Sequence, residues 1–150
     1  MGAGAARPQT PAPGFLGRYE PEIIHANDYR DTMIDIESAR AYHHTREAQR
    51  RAQQEAARQQ QLEAAQAAIA RLAPRYAGIR QVYLFGSLVQ PGRFRADSDI
   101  DVALVCDTLE TESAFWAALE RELQRDVDVR PLVEPLIDVV TQIGRLVYER

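Results

Sequence analysis

This 150-residue sequence contains no lysine, one cysteine and no long apolar run. All 18 basic residues are arginine, which we interpret as a compositional bias of the source. The single thiol, Cys106, cannot form an internal disulfide, and without a cysteine cluster nothing indicates a zinc site. No segment approaches the roughly 20 apolar residues of a membrane span. The net charge of −4 argues against a protein that coats nucleic acid. These absences predict a cytoplasmic protein that binds neither membrane nor nucleic acid directly.

The chain divides by composition into three segments. Residues 1–27 are predicted to form a flexible tail and an irregular arm, because glycine, alanine and proline occur there without periodicity. Residues 28–74 consist of helix formers and end at Pro74, which predicts a long helical extension. Residues 75–150 hold most of the large apolar side chains and are predicted to form the compact domain.

The helical extension is polar over much of its length. Between Arg46 and Gln61 the only apolar side chain is alanine, so this stretch cannot bury much on its own. Such a helix is solvated, bridges other elements, or forms half of an oligomer contact, and we therefore include a homo-oligomer through it among the expected partners. The last turns carry an apolar stripe that can pack on a sheet: Leu62, Ala65, Ile69 and Leu72.

The compact part predicts an α+β fold with two layers, a small mixed sheet and flanking helices on one side of it. The predicted elements are strands at Ile79–Phe85, Ile100–Cys106 and Asp126–Arg130, and helices at Thr111–Gln124 and about Glu134–Ile143. Residues 146–148 are expected to tuck in at the C-terminus, after the last predicted helix.

Gly86 and Ser87 follow the first predicted strand. A ligand phosphate approaches a backbone closely only where no Cβ intervenes, and the Ser87 hydroxyl and nearby amides could hold a phosphate oxygen. Gly-Ser is also a common turn, so this dipeptide alone does not define a site.

Asp99 and Asp101 stand at the start of the second predicted strand. Side chains alternate along a strand, which places both carboxylates on one face. They could be a solvated outer face, but Ala103 and Val105 further along that face are apolar. Hard divalent cations such as magnesium prefer such oxygen ligands. Asp128 in the third strand is a possible third ligand, with Asp126 as its competitor because it has the same parity.

The combination of Gly86-Ser87, Ser98-Asp99-Ile100-Asp101 and Val127-Asp128-Val129 resembles the minimal nucleotidyltransferases of the DNA polymerase beta superfamily. The resemblance covers roughly residues 72–148. It implies a nucleotidyltransferase fold in which Asp99, Asp101 and Asp128 hold two magnesium ions that bridge a nucleoside triphosphate. The third carboxylate then also helps to deprotonate the attacking hydroxyl, and Gly86, Ser87 and Ser98 contact the nucleotide.

This sequence departs from the family pattern between its two motifs. The loop of residues 88–98 is one residue longer than the commonest spacing, and the arginine that many members carry just after Gly-Ser is missing. Arg93 or Arg95 is the alternative contact for the triphosphate.

The resemblance implies transfer of AMP, or another nucleoside monophosphate, from ATP to a hydroxyl. Small family members resemble antitoxins that adenylylate a HEPN-type toxin, so a partner protein of that type is the expected acceptor. Two alternatives stay open: a non-catalytic antitoxin module that neutralises its partner by binding, and a nucleotidyltransferase for a small molecule.

Overall fold

The computed structural model describes residues 26–150, with side chains from Asp35 onward. The predicted tail and irregular arm therefore lie outside the described residues, apart from the last two positions. By its internal contacts the chain divides between Arg40 and Ala41, and residues 41–150 form the second, compact unit. The second unit contains the sheet and every candidate site residue.

Helix α1 spans Ala26–Leu72 and passes into a short 3₁₀ turn, Ala73–Arg75. Pro74 lies in that turn, where its missing N–H costs no helical hydrogen bond. The predicted helix is confirmed. Its apolar stripe is buried in the main core together with Ala68: Leu62, Ala65, Ile69 and Leu72. Because these last turns belong to the core of the second unit, the division of the chain into domains at residue 74 stays a prediction.

Four strands form one mixed sheet in the order β3-β2-β1-β4. The strands are β1 (Ile79–Phe85), β2 (Ile100–Cys106), β3 (Val127–Pro131) and β4 (Arg145–Glu149). The predictions of β1 and β2 are confirmed at both ends, and β3 is shifted by one residue. Strand β4, which the predicted elements do not include, contains residues 146–148 and pairs antiparallel with β1.

Helix α2 (Leu109–Leu123) connects β2 to the parallel strand β3. Thr108 caps its start by accepting a hydrogen bond from the backbone N–H of Thr111, at 3.2 Å. Gln124 ends it in the left-handed conformation, with φ of 49°. Parallel strands need a crossover connection, and here α2 provides it, with Thr108 at its start and Gln124 at its end.

The two faces of the sheet differ in what covers them. The core face carries Ile100, Val102 and Leu104 of β2, which pack in the main core with residues of α1 and α2. The site face carries the alternate residues of the same strand, Asp101 and Ala103. A second, smaller cluster lies on the site face, where Ala103 and Phe85 pack against Val140.

Val140 belongs to helix α3 (Leu136–Ile143), which therefore packs on the site face. The α+β class with a small mixed sheet, flanking helices and a long N-terminal helix is confirmed. The expectation that all helices lie on one side is wrong for α3, whose short length left its face undetermined by sequence. None of the described helices is long and apolar enough to cross a membrane.

Candidate active site

Strand directions bring the two motifs to one end of the sheet. Since β1 runs antiparallel to β2 and β2 runs parallel to β3, the end of β1 meets the starts of β2 and β3. Phe85 pairs with Asp101, and Asp101 pairs with Asp128, so these three residues form one row across the site face. Neighbouring strands lie about 4.8 Å apart. The carboxylates of Asp101 and Asp128 are therefore neighbours, and the Gly86-Ser87 turn begins directly beyond the row.

The electrostatics of Asp101 record this crowding. The pKa of Asp101 is raised above its ordinary value, first by burial and then by the negative charge of Asp128. Asp99 raises this pKa further, while Arg130 and the backbone of Ser87 lower it. Two carboxylates held side by side, one of them partly desolvated, favour a cation between them.

Arg130 is a positively charged residue beside these carboxylates. Its guanidinium binds the carboxylate of Asp128, with Nε 2.8 Å from Oδ2 and Nη2 forming a second contact. The pair raises the pKa of Arg130. We did not anticipate Arg130 from the sequence, although it shares the parity of Asp128 in β3. Strict alternation through Val127 and Val129 is the signal that could have found it.

Gly86 is required by the carboxylate of Asp101. The backbone of Gly86 adopts φ of +71°, which disfavours other residues. A Cβ built at this position would lie 2.0 Å from Oδ2 of Asp101 and 2.8 Å from its Cγ. The space that glycine leaves is thus filled by a side chain of the site itself. Close approach of a phosphate, the reason inferred from the sequence, remains a prediction.

Ser87 lies inside a short 3₁₀ helix, Gly86–Val89, as the expected turn after β1. Leu88 in this turn is fully buried and anchors it to the core. Ser87 itself is half-buried, next to the row of carboxylates. The turn is therefore held in place, and its assignment as a phosphate-binding element stays a prediction.

Asp99, Ser98 and Asp126 lie just outside the strands. Asp99 immediately precedes β2 and is exposed, and Asp126 precedes β3. All three line a shallow depression of about 350 Å³ at the sheet end. Asp99 is close enough to raise the pKa of Asp101, but Asp128 rather than Asp126 is paired in register with that residue. The roles of these residues as ligands stay predictions.

The loop before Asp99 is organised by Arg125, another residue that sequence reasoning missed. Its guanidinium donates to the carbonyl of Ser98, at 2.9 Å from Nη2, and to that of Ala96. It also stacks over the ring of Phe94, 4.9 Å from the centroid. The hydroxyl of Ser98 accepts a hydrogen bond from the backbone N–H of Arg95 at 3.0 Å. Ser98 therefore shapes the loop that carries Asp99.

Arg93 and Arg95, the alternative contacts for a triphosphate, are exposed in the same loop. The backbone of Arg95 closes a turn with Ser98, whose N–H donates to the Arg95 carbonyl at 3.1 Å. Neither arginine is paired with a carboxylate of the site in residues 35–150.

The carboxylate oxygens of the site suit magnesium, but a substrate would have to supply the remaining ligands. Within the part of the chain with described side chains, no three carboxylate, imidazole or thiol groups converge closely enough to hold one ion by themselves. The registered pair Asp101–Asp128 does offer adjacent hard oxygens whose mutual repulsion a divalent cation would relieve. Magnesium is commonly bound by one or two carboxylates with substrate phosphates supplying further ligands.

The sequence matches the family model described as polymerase beta nucleotidyltransferase over residues 67–150. This match covers more than half of the chain, and it includes the whole row of site residues. The chain therefore belongs to the polymerase beta nucleotidyltransferase family. No curated protein matches the sequence.

Several solved structures are similar to this chain. One, a toxin–antitoxin complex with AMP-PNP, is 28% identical over 57% of this chain and 73% of that chain, with a TM-score of 0.49. Another is the tri-AMPylated HEPN toxin of Shewanella oneidensis with its MNT antitoxin, at 24% identity over 59% and 73% and a TM-score of 0.44. A MntA–HepT toxin–antitoxin complex is 25% identical over 57% and 71%, with a TM-score of 0.43. The family assignment rests on the match to the family model.

Proposed function

We propose that this protein is a magnesium-dependent nucleotidyltransferase that moves AMP from ATP to a hydroxyl of a partner protein. One observation carries the reaction class: Asp101 and Asp128 are paired in register beside the Gly86-Ser87 turn. The family assignment supports the same class.

Asp99, Asp101 and Asp128 would hold two magnesium ions between them, with phosphates of the substrate as further ligands. When bound, the metal would neutralise charge on the triphosphate and on the two reacting oxygens. Asp101 suits this role because its environment already disfavours the bare carboxylate, as the raised pKa shows. Arg130, which contacts Asp128, would keep that carboxylate oriented until substrate and metal are present.

The transfer is a displacement at the α-phosphorus of ATP. The acceptor hydroxyl oxygen forms a bond to that phosphorus, and the bond from phosphorus to the bridging oxygen of pyrophosphate breaks. Asp128 takes the hydroxyl proton and then releases it to water, and pyrophosphate leaves with the electron pair of the broken bond. Positioning and charge neutralisation account for most of the catalysis in such a reaction.

The choice of a protein acceptor follows the family resemblance. The HEPN toxin in the Shewanella oneidensis complex is described as tri-AMPylated, and a protein of that type is the acceptor to test first.

The test compares ATP labelled at the α-phosphate with ATP labelled at the γ-phosphate, in the presence of magnesium and the product of the adjacent gene. We expect label on the acceptor only from the α position, with release of pyrophosphate. The Asp128→Asn variant should abolish this labelling. Label transferred from the γ position would contradict the proposal. Tight binding of the partner without any labelling would favour the non-catalytic module.

A further inference from the structure

Arg58 of α1 is the one charged side chain among the described residues that is buried, with 4% of its surface exposed. It lies in the polar stretch that the sequence predicts to bury little. A buried guanidinium is costly unless it is hydrogen-bonded, and each of the three guanidinium nitrogens of Arg58 has an acceptor. Its Nη1 donates to the carbonyl of Leu88 at 2.7 Å, across 30 positions of sequence.

Glu55, one turn earlier in α1, completes the arrangement. Its carboxylate accepts hydrogen bonds from two nitrogens of Arg58, with Oε1 2.6 Å from Nη2 and Oε2 3.0 Å from Nε. Oε2 also accepts from the backbone N–H of Gly92 at 3.3 Å. Two-point pairing fixes the orientation of both side chains as well as their charge. The ion pair holds the pKa of Glu55 at about 2, well below its ordinary value.

The two backbone contacts lie at the two ends of one segment, residues 88–92, which we call the post-turn segment because it follows Gly86-Ser87, although its first two residues still belong to the 3₁₀ helix Gly86–Val89. Leu88 is the residue directly after Gly86-Ser87, and Gly92 turns the chain with φ of +74°. The pair thus holds the segment at both ends by hydrogen bonds to the Leu88 carbonyl and the Gly92 N–H. Leu88 belongs to the same 3₁₀ helix as Gly86 and Ser87, so the contact at its carbonyl holds the turn together with the burial of its side chain.

We propose that Arg58 and Glu55 are positioning residues that hold the Gly86-Ser87 turn in the geometry that binds the triphosphate. This inference rests on the proposed function for its substrate. It assigns part of α1 to the site, since the helix reaches the turn through side chains of its polar stretch. The arrangement acts on binding of the nucleotide, because neither side chain touches the row of carboxylates at which transfer occurs.

The test uses the full chain with substitutions Arg58→Ala, Arg58→Lys and Glu55→Gln. Arg51→Ala and Glu47→Gln are matched controls, since Arg51 and Glu47 form an exposed pair on the same helix, 3.7 Å apart. Three quantities are measured: amide hydrogen exchange in residues 88–92, the affinity for magnesium–AMP-PNP by calorimetry, and KM and kcat for ATP.

For Arg58→Ala we expect exchange in the post-turn segment to accelerate about tenfold or more. The Kd for the nucleotide and the KM should rise about tenfold, with kcat within about twofold of the wild-type value. Arg58→Lys should recover part of the affinity, because lysine reaches one of the acceptors but not both. Glu55→Gln should show a smaller rise, and both controls should match the wild type.

Faster exchange with an unchanged nucleotide affinity would overturn the inference, as would unchanged exchange. A fall in kcat at constant KM would also overturn it, because that pattern places the pair at the chemical step. Should Arg58→Ala not fold, Arg58→Lys and Glu55→Gln decide by the same criteria. Exchange and AMP-PNP binding need no acceptor, so a failure of AMP transfer alone, with these two results as expected, counts against the proposed reaction and not against the positioning role.

Discussion

The two faces of strand β2 differ in almost every physical respect, although they are built from alternate residues. On the core face, Ile100, Val102 and Leu104 are buried among apolar side chains of two helices. On the site face, Asp101 stands beside Asp128 with a raised pKa. Burial of the first set stabilises the fold, whereas crowding of the second set costs stability. The comparison shows that burial of apolar residues on the core face offsets the destabilising crowding of carboxylates at the alternate positions of the same strand.

The largest expected effect comes from the core face. Leu104→Ala removes a side chain that is 1% exposed, and we expect the free energy of unfolding to fall by about 2–5 kcal/mol. The control is Leu109→Ala, at a leucine that is 74% exposed, which should change stability by less than about 0.5 kcal/mol. Urea denaturation measures both. Equal losses in the two variants would contradict the assignment of the core face.

The second prediction concerns Gly86, whose backbone lies against the carboxylate of Asp101. Gly86→Ala should lower the free energy of unfolding by about 2 kcal/mol or more, from backbone strain of about 1 kcal/mol and displacement of Asp101. Gly92→Ala is the matched control, because Gly92 has a similar positive φ and no atom within 4 Å of its built Cβ. Its cost should be the backbone strain alone.

A double substitution separates the two contributions at Gly86. In an Asp101→Ala background, the excess cost of Gly86→Ala over Gly92→Ala should largely disappear. If the excess persists without the carboxylate, the close contact with Asp101 is not its cause.

The site face should respond in the opposite direction. Asp101→Asn removes a charge that burial and Asp128 disfavour, so the metal-free protein should become more stable, by less than about 1 kcal/mol. Thermal unfolding in the presence of EDTA measures this change. A clear loss of stability would show that the Asp101 carboxylate serves the fold rather than the site.

A further prediction concerns the pH dependence of Glu55, whose carboxylate lies beside the buried Arg58. Its pKa is lowered from 4.5 to about 2, so the ionised form stabilises the fold above pH 4.5 and this contribution is lost as the pH falls toward 2. The difference in Tm between wild type and Glu55→Gln should therefore be largest at neutral pH and shrink between pH 4.5 and 2. A difference that grows over that interval would reverse the assigned sign.

Much of this arrangement follows from local sequence. Alternation and flanking breakers define β1 and β2, and Pro74 marks the end of α1. The carboxylates of Asp101 and Asp128 stand out because they interrupt apolar strands, and that of Asp99 because it immediately precedes one. These signals depend on periods of two and four residues, which are visible without knowledge of the partners.

The unpredicted features depend on residues distant in sequence. Strand β4 forms because β1 offers it a free edge, and α3 packs on the site face because Ala103 and Phe85 leave an apolar surface there. Arg58 meets Leu88 across 30 positions, and Arg125 reaches the loop that carries Ser98 across 27. Such pairings are set by how the chain folds back on itself, which no local pattern in a single sequence records.

The most direct test of the two-face account is the rate of AMP transfer to the acceptor by Asp101→Asn, compared with Asp107→Asn. Asp107 lies just past the other end of β2 and pairs with Arg80 at the surface, 2.8 Å apart, so it controls for loss of a carboxylate near the same strand. We predict that Asp101→Asn lowers the rate by about 10²–10³-fold while Asp107→Asn leaves it within about twofold. Equal rates in the two variants would contradict the placement of the chemistry on the site face.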